Sequence, residues 1–264
     1  MSSKAGVALR LERLGGLRGT LVSAVFAACV AVGVLPHLGV AGMAMTRSWY
    51  RTVAPVGLTA EHFHSALGHD LTVPSILNSV RYASMAVIVA MIMGVVIAIV
   101  VVRGKGRLGW LLDCLSMMPL AVPGLVLAFG YLAMSQEGRA FQALDPIRNP
   151  TVLLVIAYAI RRLPYVVRAA AAGLQQTSVS YEEAAASLGA GPVTRFRRIT
   201  APLISANLIA GGILAFSFAM LEVSDSLLLA QRSMYFPITK AIYELSMLLG
   251  QGPALAAALG MWTM

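Results

Sequence analysis

Long apolar runs, separated by short clusters of basic residues and turn formers, set the plan of this chain. The first is Thr20 to Leu35, extended past Pro36 to about Met45, and the second is Ile76 to Val102, dense in Val, Ile and Met. Trp110 to Met134, Thr151 to Leu163 and Leu203 to Leu229 follow. A helix rises about 1.5 Å per residue and the hydrocarbon layer is about 30 Å thick, so this pattern predicts membrane-spanning helices. The last part differs. Ile238 to Leu249 is apolar but carries Lys240 and Glu244, and Gly250-Gln251-Gly252-Pro253 breaks it. The run from Pro253 to Met264 reaches only about 18 Å. The expectation is an all-α, polytopic transmembrane bundle with five full spans, a short re-entrant or surface helix on the outside, and a truncated sixth span.

Two runs carry features that a plain lipid-facing helix does not need. Pro119, Pro123 and Gly124 interrupt the third. Proline removes a backbone donor and crowds the preceding turn, which the bilayer tolerates only where neighbours or a water-lined cavity satisfy the freed carbonyls. This helix is expected to be broken and to face a solute pathway. In the fifth run, Glu222 and Asp225 stand three apart, on one helical face. Glu222 would lie nearly 30 Å from Leu203, about the full depth of the hydrocarbon, so the two acids are expected to line the outer mouth of that pathway.

Composition narrows the class. The 264 residues are 58% hydrophobic and only 12% charged, with a mean hydropathy of +0.79, against roughly 25% charged residues in soluble domains. The net charge of +9 does not point to nucleic acid, because the basic residues gather at the ends of apolar runs. With residues 1–19 read as a cytoplasmic basic leader, 20–45 as the first span and 46–74 as an external loop, 13 of the 20 Lys and Arg fall inside. Arg103, Lys105 and Arg107 mark an inner hairpin whose role is topology. Arg161, Arg162 and Arg168, with Pro164, are expected to bring the fourth span to the inner surface.

Chemistry in the chain is sparse. His62, His64 and His69 lie in the external loop, but a spacing of two puts the first pair on different helix faces, so no metal site is expected. Cys29 and Cys114 sit inside apolar runs and read as small buried residues without disulfide or metal. Gly104-Lys105 lacks the glycines of a phosphate loop. No nucleophile and base cluster together, so no covalent chemistry and no cofactor are expected.

One short polar stretch organises the rest. Ser180 and Glu183 form a capping-box pattern that starts a helix near Tyr181. Alanines 184 to 186 and Leu188 propagate it, and Gly189, with Gly191 and Pro192 behind it, stops it. Two turns cannot stand alone in water. Ala184, Ala185 and Leu188 would offer a flat apolar face to a partner.

Glu183-Ala184-Ala185, then Gly189, Ile199 and Pro202 at their spacings, resemble the EAA loop of binding-protein-dependent ABC importer permeases. Ala201 departs from the pattern, which prefers leucine there. The resemblance implies a type I permease core over residues 75–264, with residues 181–190 as a coupling helix seated in a separate ABC ATPase subunit. It further implies a second permease subunit, identical or not, an extracytoplasmic solute-binding protein, surrounding membrane lipid, and residence in a prokaryotic inner membrane with the N-terminus cytoplasmic. ATP hydrolysis would belong to the partner. Leu58 to Phe63 is similar to the segment before the second span in these permeases. Met118 to Gly124, together with Glu222 to Leu229, is similar to the iron, polyamine, thiamine and phosphonate branch, which favours ferric iron as solute. The competing class is a secondary transporter driven by an ion gradient, which would place a charged or broken-helix site near the bilayer midplane and show an internal repeat. No acid at mid-depth and no internal repeat are expected in this chain.

Overall fold

The computed structural model describes residues 15–49, 52, 55–104 and 106–264. The leader's Lys4, Arg10 and Arg13, and Lys105 of the basic hairpin, lie outside them. Helix α1 (Gly16–Ala44) runs unbroken through Pro36. A small antiparallel hairpin follows, β1 (Thr46–Ser48) with β2 (Val56–Leu58), pairing Thr46 with Leu58 and Ser48 with Val56. It is the one departure from an all-α chain among the described residues. Then come α2 (Glu61–Leu67), α3 (Thr72–Arg103), α4 (Arg107–Ala121), α5 (Gly124–Ser135) and α6 (Thr151–Gln176). After α7 (Val179–Ser187) and α8 (Pro192–Arg195), residues 196–200 wind as a π-helix into α9 (Ala201–Leu203). The chain closes with α10 (Ser205–Met220), α11 (Ser224–Leu229), α12 (Ile238–Met247) and α13 (Gly252–Thr263).

The centre of the bundle is α3 against α6, with α10 beside both. On α3 the inward stripe is Ala83, Ala86, Ala90, Gly94 and Ala98, while Ile88, Ile92 and Val96 face outward at 60%, 65% and 57% exposure. This inverts the soluble pattern. Lipid is as apolar as isoleucine, so association rests on close backbone approach, which small residues permit. At Gly94 an added Cβ would stand 2.7 Å from Val166 Cγ1, and at Gly211 of α10 it would stand 2.5 Å from Ala169 Cβ. Tyr82 near the start of α3 donates to the carbonyl of Tyr235, and Arg103 at its end donates to that of Leu174. The contact of Arg103 with Leu174 puts the C-terminal ends of α3 and α6 together, so the two run parallel.

Several expectations about the spans are corrected. By length and composition only α1 and α3 qualify alone; α4 with α5, bent by 105°, and Pro192–Leu203 with α10, bent by 75°, bring the number to four if each pair is one broken span. The kink foreseen at Pro119 to Gly124 is therefore present. The helix that begins at Thr151 does not end at Leu163. Pro164 is buried inside a 26-residue helix about 39 Å long, because a proline removes one helix hydrogen bond without ending a helix that packed neighbours hold. Arg161 and Arg162 accordingly sit inside the helix rather than at its end. The fifth run is not continuous either, since it breaks at residues 221–223. Cys29 and Cys114 are exposed, not buried, on the surface of this chain. Apolar positions in a bilayer need not enter a protein core, and α1 shows it, touching chiefly α13 at its end. The break before Pro253 is real: Gly250 takes φ +72° between α12 and α13.

Candidate functional site

Two arrangements stand out, one at the α7 end of the bundle and one halfway along α6. The first begins where α6 gives out at Thr177. Ser178 is the N-cap of α7, its Oγ accepting the Ser180 N–H at 3.3 Å. The helix thus starts at Val179, and the box expected between Ser180 and Glu183 does not form, because Ser178 already has cap geometry and Ser180 is helical. Glu182, not Glu183, is the acid in the first turn. It turns inward, 3.5 Å from Arg103 Nη2, and accepts the Thr200 hydroxyl at 3.3 Å.

That orientation sorts the expected face. Ala185, three residues after Glu182, is buried on the same side, while Glu183 and Ala184 are exposed and Leu188 stands 89% exposed. The outward apolar residues on one side of α7 are therefore Tyr181, Ala184 and Leu188, and Ala185 belongs to the inner packing. The stop is as expected. Gly189 takes φ +83°, its N–H bonds Ala186 O at 2.9 Å, and the Ala190 N–H reaches Ala185 O at 3.0 Å, the two bonds of a Schellman motif. Ile199 is half-buried and Pro202 exposed at the start of the next ascent. There the Ala201 N–H reaches back to Phe196 O, a widened turn just ahead of a proline that has no N–H to donate.

Arg103 does more than fix topology. Its Nη2 also donates to the carbonyls of Leu174 and Thr177, each at 3.0 Å, so one guanidinium closes the end of α6 and holds the first turn of α7.

The second arrangement is a buried set of four charges. Arg161 Nε meets Asp225 Oδ2 at 3.0 Å and Nη2 meets Oδ1 at 3.2 Å, a two-pronged pair with Asp225 fully buried. The same Nη2 donates to Gly124 O at 3.0 Å. Arg162 Nη2 pairs with Glu222 Oε2, which also lies 3.4 Å from Arg161 Nε. Around them Tyr158 OH and Ser226 Oγ share a hydrogen bond of 2.7 Å, and Thr239 Oγ1 donates to Glu222 O at 2.6 Å. Two cations thus face two anions. The set joins the first residue of α5, the middle of α6, the break before α11, and α12.

Residues 86–264 match the binding-protein-dependent transport system inner membrane component family. The chain belongs to that family. The molybdenum transport system permease protein ModB of Mycobacterium tuberculosis (strain ATCC 25618 / H37Rv) is 31% identical over 169 residues, 61% of this chain and 64% of that protein. The ferric transport system permease protein FbpB of Actinobacillus pleuropneumoniae is 30% identical over 170 residues, 63% of this chain and 24% of that protein. The match thus spans less than two thirds of the length of either relative. The fold is similar to a chain of a bacterial alginate ABC transporter solved with an alginate pentasaccharide-bound periplasmic protein, at a TM-score of 0.69 and 15% identity over 92% of this chain and 88% of that one.

In this inner membrane component, Glu222 and Asp225 are not free carboxylates. Both are buried and paired, and their partner Arg161 lies about 15 Å along α6 from Thr151 and about 22 Å from Gln176, well inside the helix rather than at its end. Pro119 and Gly124 are half-buried and Pro123 is exposed. Sequence reasoning missed Arg161 and Arg162 as their partners. The signal was available: two arginines and two acids inside separate apolar runs call for one another, since unpaired charges there are too costly.

Proposed function

We propose that this family member is the permease subunit of an ATP-driven ABC importer, forming part of a solute pathway and moved by a separate ATPase that seats α7. The observation that carries the reading is a short, doubly capped helix held outside the packed bundle, showing Leu188 and Tyr181 to solvent while Glu182 and Arg103 tie its inner side to α3 and α6. An apolar face on so short a helix requires a partner surface. Glu183, Ala184, Leu188 and Gly189 make or terminate that face, Ala185 packs beneath it, and Ile199 and Pro202 set the path back into the membrane.

Motion of α7 has a direct route inward. Thr177 and Ser178 are the only residues between α6 and α7, and α6 carries Arg161 and Arg162 to the breaks after Pro123 and Leu221. A shift of α6 therefore moves both broken helices together, a switch between packed arrangements rather than a continuous deformation. In this scheme Pro119, Pro123 and Gly124 border the pathway, whereas Glu222 and Asp225 hold its wall. The four-charge set leaves no carboxylate open to a driving ion, which disfavours a gradient-driven transporter.

The α7 end is cytoplasmic in this reading, with residues 20–45 a first span, 46–74 external and 75–264 the permease core. A second permease subunit and an extracytoplasmic solute-binding protein complete the importer. The solute is a small inorganic ion. Similarity of Met118 to Gly124 favours ferric iron, and the relatives that carry ferric iron and molybdenum support an inorganic solute over polyamine, phosphonate or thiamine. Purification from the native membrane tests the assembly: an ATPase subunit should accompany the chain and hydrolyse ATP faster when loaded binding protein is added. A stable chain that brings down no ATPase would overturn it.

A further inference from the structure

Two adjoining cavities at the α7 end share Ile99, Pro192 and Phe196 but differ in chemistry. One, of about 550 Å³, is an apolar groove along α3, walled by Met91, Ile92, Val95 and Val96 and closed by Val193 of α8. The other, of about 260 Å³, lies at the groove's end and is lined by Arg103, Arg195, Glu182 and Thr200. Glu182 balances Arg103, but among the described residues Arg195 has no ion-pair partner. The Nε atoms of both arginines are buried without a hydrogen-bond partner. Two donors buried and unused beside a surplus positive charge call for an anionic acceptor, because leaving them unpaired costs far more than pairing them.

We infer that this composite cavity binds an anionic membrane lipid, its phosphate against Arg195 and Arg103 and an acyl chain in the groove between α3 and Phe196. Size agrees. From Arg103 back to Met91 α3 rises about 18 Å, close to the about 15 Å of one hydrocarbon leaflet. Charge agrees as well, since the basic end of the groove is at the α7 end of the bundle, where the membrane-embedded reading puts the headgroups. The lipid would wedge α8 against α3 and so brace the loop that holds α7. This rests on the membrane-embedded reading of the bundle but not on the identity of the ATPase or the solute.

The test uses the full chain, purified with whatever subunits accompany it and placed in nanodiscs of phosphatidylglycerol mixed with phosphatidylcholine of the same chains. Lipids retained after delipidation are counted by native mass spectrometry. Phosphatidylglycerol should be retained selectively, about fivefold less in Arg195→Gln, the loss of one basic contact near a membrane surface. Val96→Trp, which fills the groove without touching the arginines, should reduce retention similarly, and Arg195→Lys should restore most of it. Equal retention of both lipids would overturn the inference. So would displacement by inorganic phosphate alone, which would mark a free-anion site, or retention unaffected by Val96→Trp. Efficient cross-linking of Val96→Cys to a second copy in the lipid-bound state would also overturn it, by assigning the groove to protein.

Discussion

Arg161 holds Asp225 by two hydrogen bonds, of 3.0 and 3.2 Å, across 64 residues of sequence, and the same guanidinium reaches the Gly124 carbonyl. A single side chain in the middle of α6 therefore fixes both places where the flanking helices break. Breaking such a buried pair from one side leaves a charge without compensation, at about 3–5 kcal/mol, whereas replacing both partners by apolar groups of like volume is close to neutral.

Arg161→Met should accordingly lower stability by about 3–5 kcal/mol, and Arg161→Met with Asp225→Leu should recover most of the loss. Thermal unfolding of the purified chain in detergent measures this. Equal destabilisation of the single and double variants would mean that the arginine acts through Gly124 and Glu222 instead.

The inward turn of Glu182 separates two acids that are adjacent in sequence. Glu182→Ala should loosen residues 179–187, seen as faster amide hydrogen exchange there, because it removes the Arg103 and Thr200 contacts. Glu183→Ala should leave exchange unchanged, within about 0.5 kcal/mol in stability, yet weaken association with the ATPase subunit. Leu188→Asp should abolish that association while the unfolding temperature stays put. If Glu182→Ala and Glu183→Ala behaved alike in both assays, the inner and outer sides of α7 would not be distinct.

The packing of α3 on α6 makes a third contrast. Gly94→Val places a branched side chain where even a Cβ would meet Val166 at 2.7 Å, and should cost about 1–3 kcal/mol or force the helices apart. Ile92→Ala, on the lipid-facing side, should change stability by less than about 0.5 kcal/mol. A larger cost for Ile92→Ala than for Gly94→Val, read by the same unfolding assay, would reverse the assignment of the two faces.

These contrasts show what the sequence made legible. Helical class, the break at Pro119 to Gly124, the stop at Gly189 and the interruption before Pro253 all follow from local chemistry, because proline and glycine restrict the backbone wherever they occur. Apolar runs located the long helices but not their inner faces. In α3 the Val, Ile and Met that dominate the run look outward, and the stripe of alanines and Gly94 looks in. Pro164 misled because a helix end and a buried helical proline look alike without the neighbours. Glu222 was placed by counting from Leu203 along an assumed straight helix, and the 75° bend between Leu203 and Ser205 removed that premise. The pairing with Arg161 and Arg162 spans about sixty residues and has no local signature. Ser180 fits the cap chemistry by sequence, but Ser178 fits it as well, and only the extended exit from α6 at Thr177 selects Ser178.

Gly189 offers the sharpest test of coupling. Its φ of +83° lies in the left-handed region, and nothing stands within 4 Å of where a Cβ would be, so any penalty of substitution is conformational rather than steric crowding. Gly189→Val should cost about 1–2 kcal/mol locally, enough to undo the Schellman turn, whereas Gly189→Asn, which tolerates the region, should cost less. The site is outside the packed bundle, so membrane insertion and the Arg161 to Asp225 pair should survive in both. Binding-protein-stimulated ATP hydrolysis in proteoliposomes should fall strongly in Gly189→Val and only modestly in Gly189→Asn. Stimulation at the unsubstituted level in Gly189→Val, with the chain correctly inserted, would show that the geometry at the end of α7 is not what the ATPase reads.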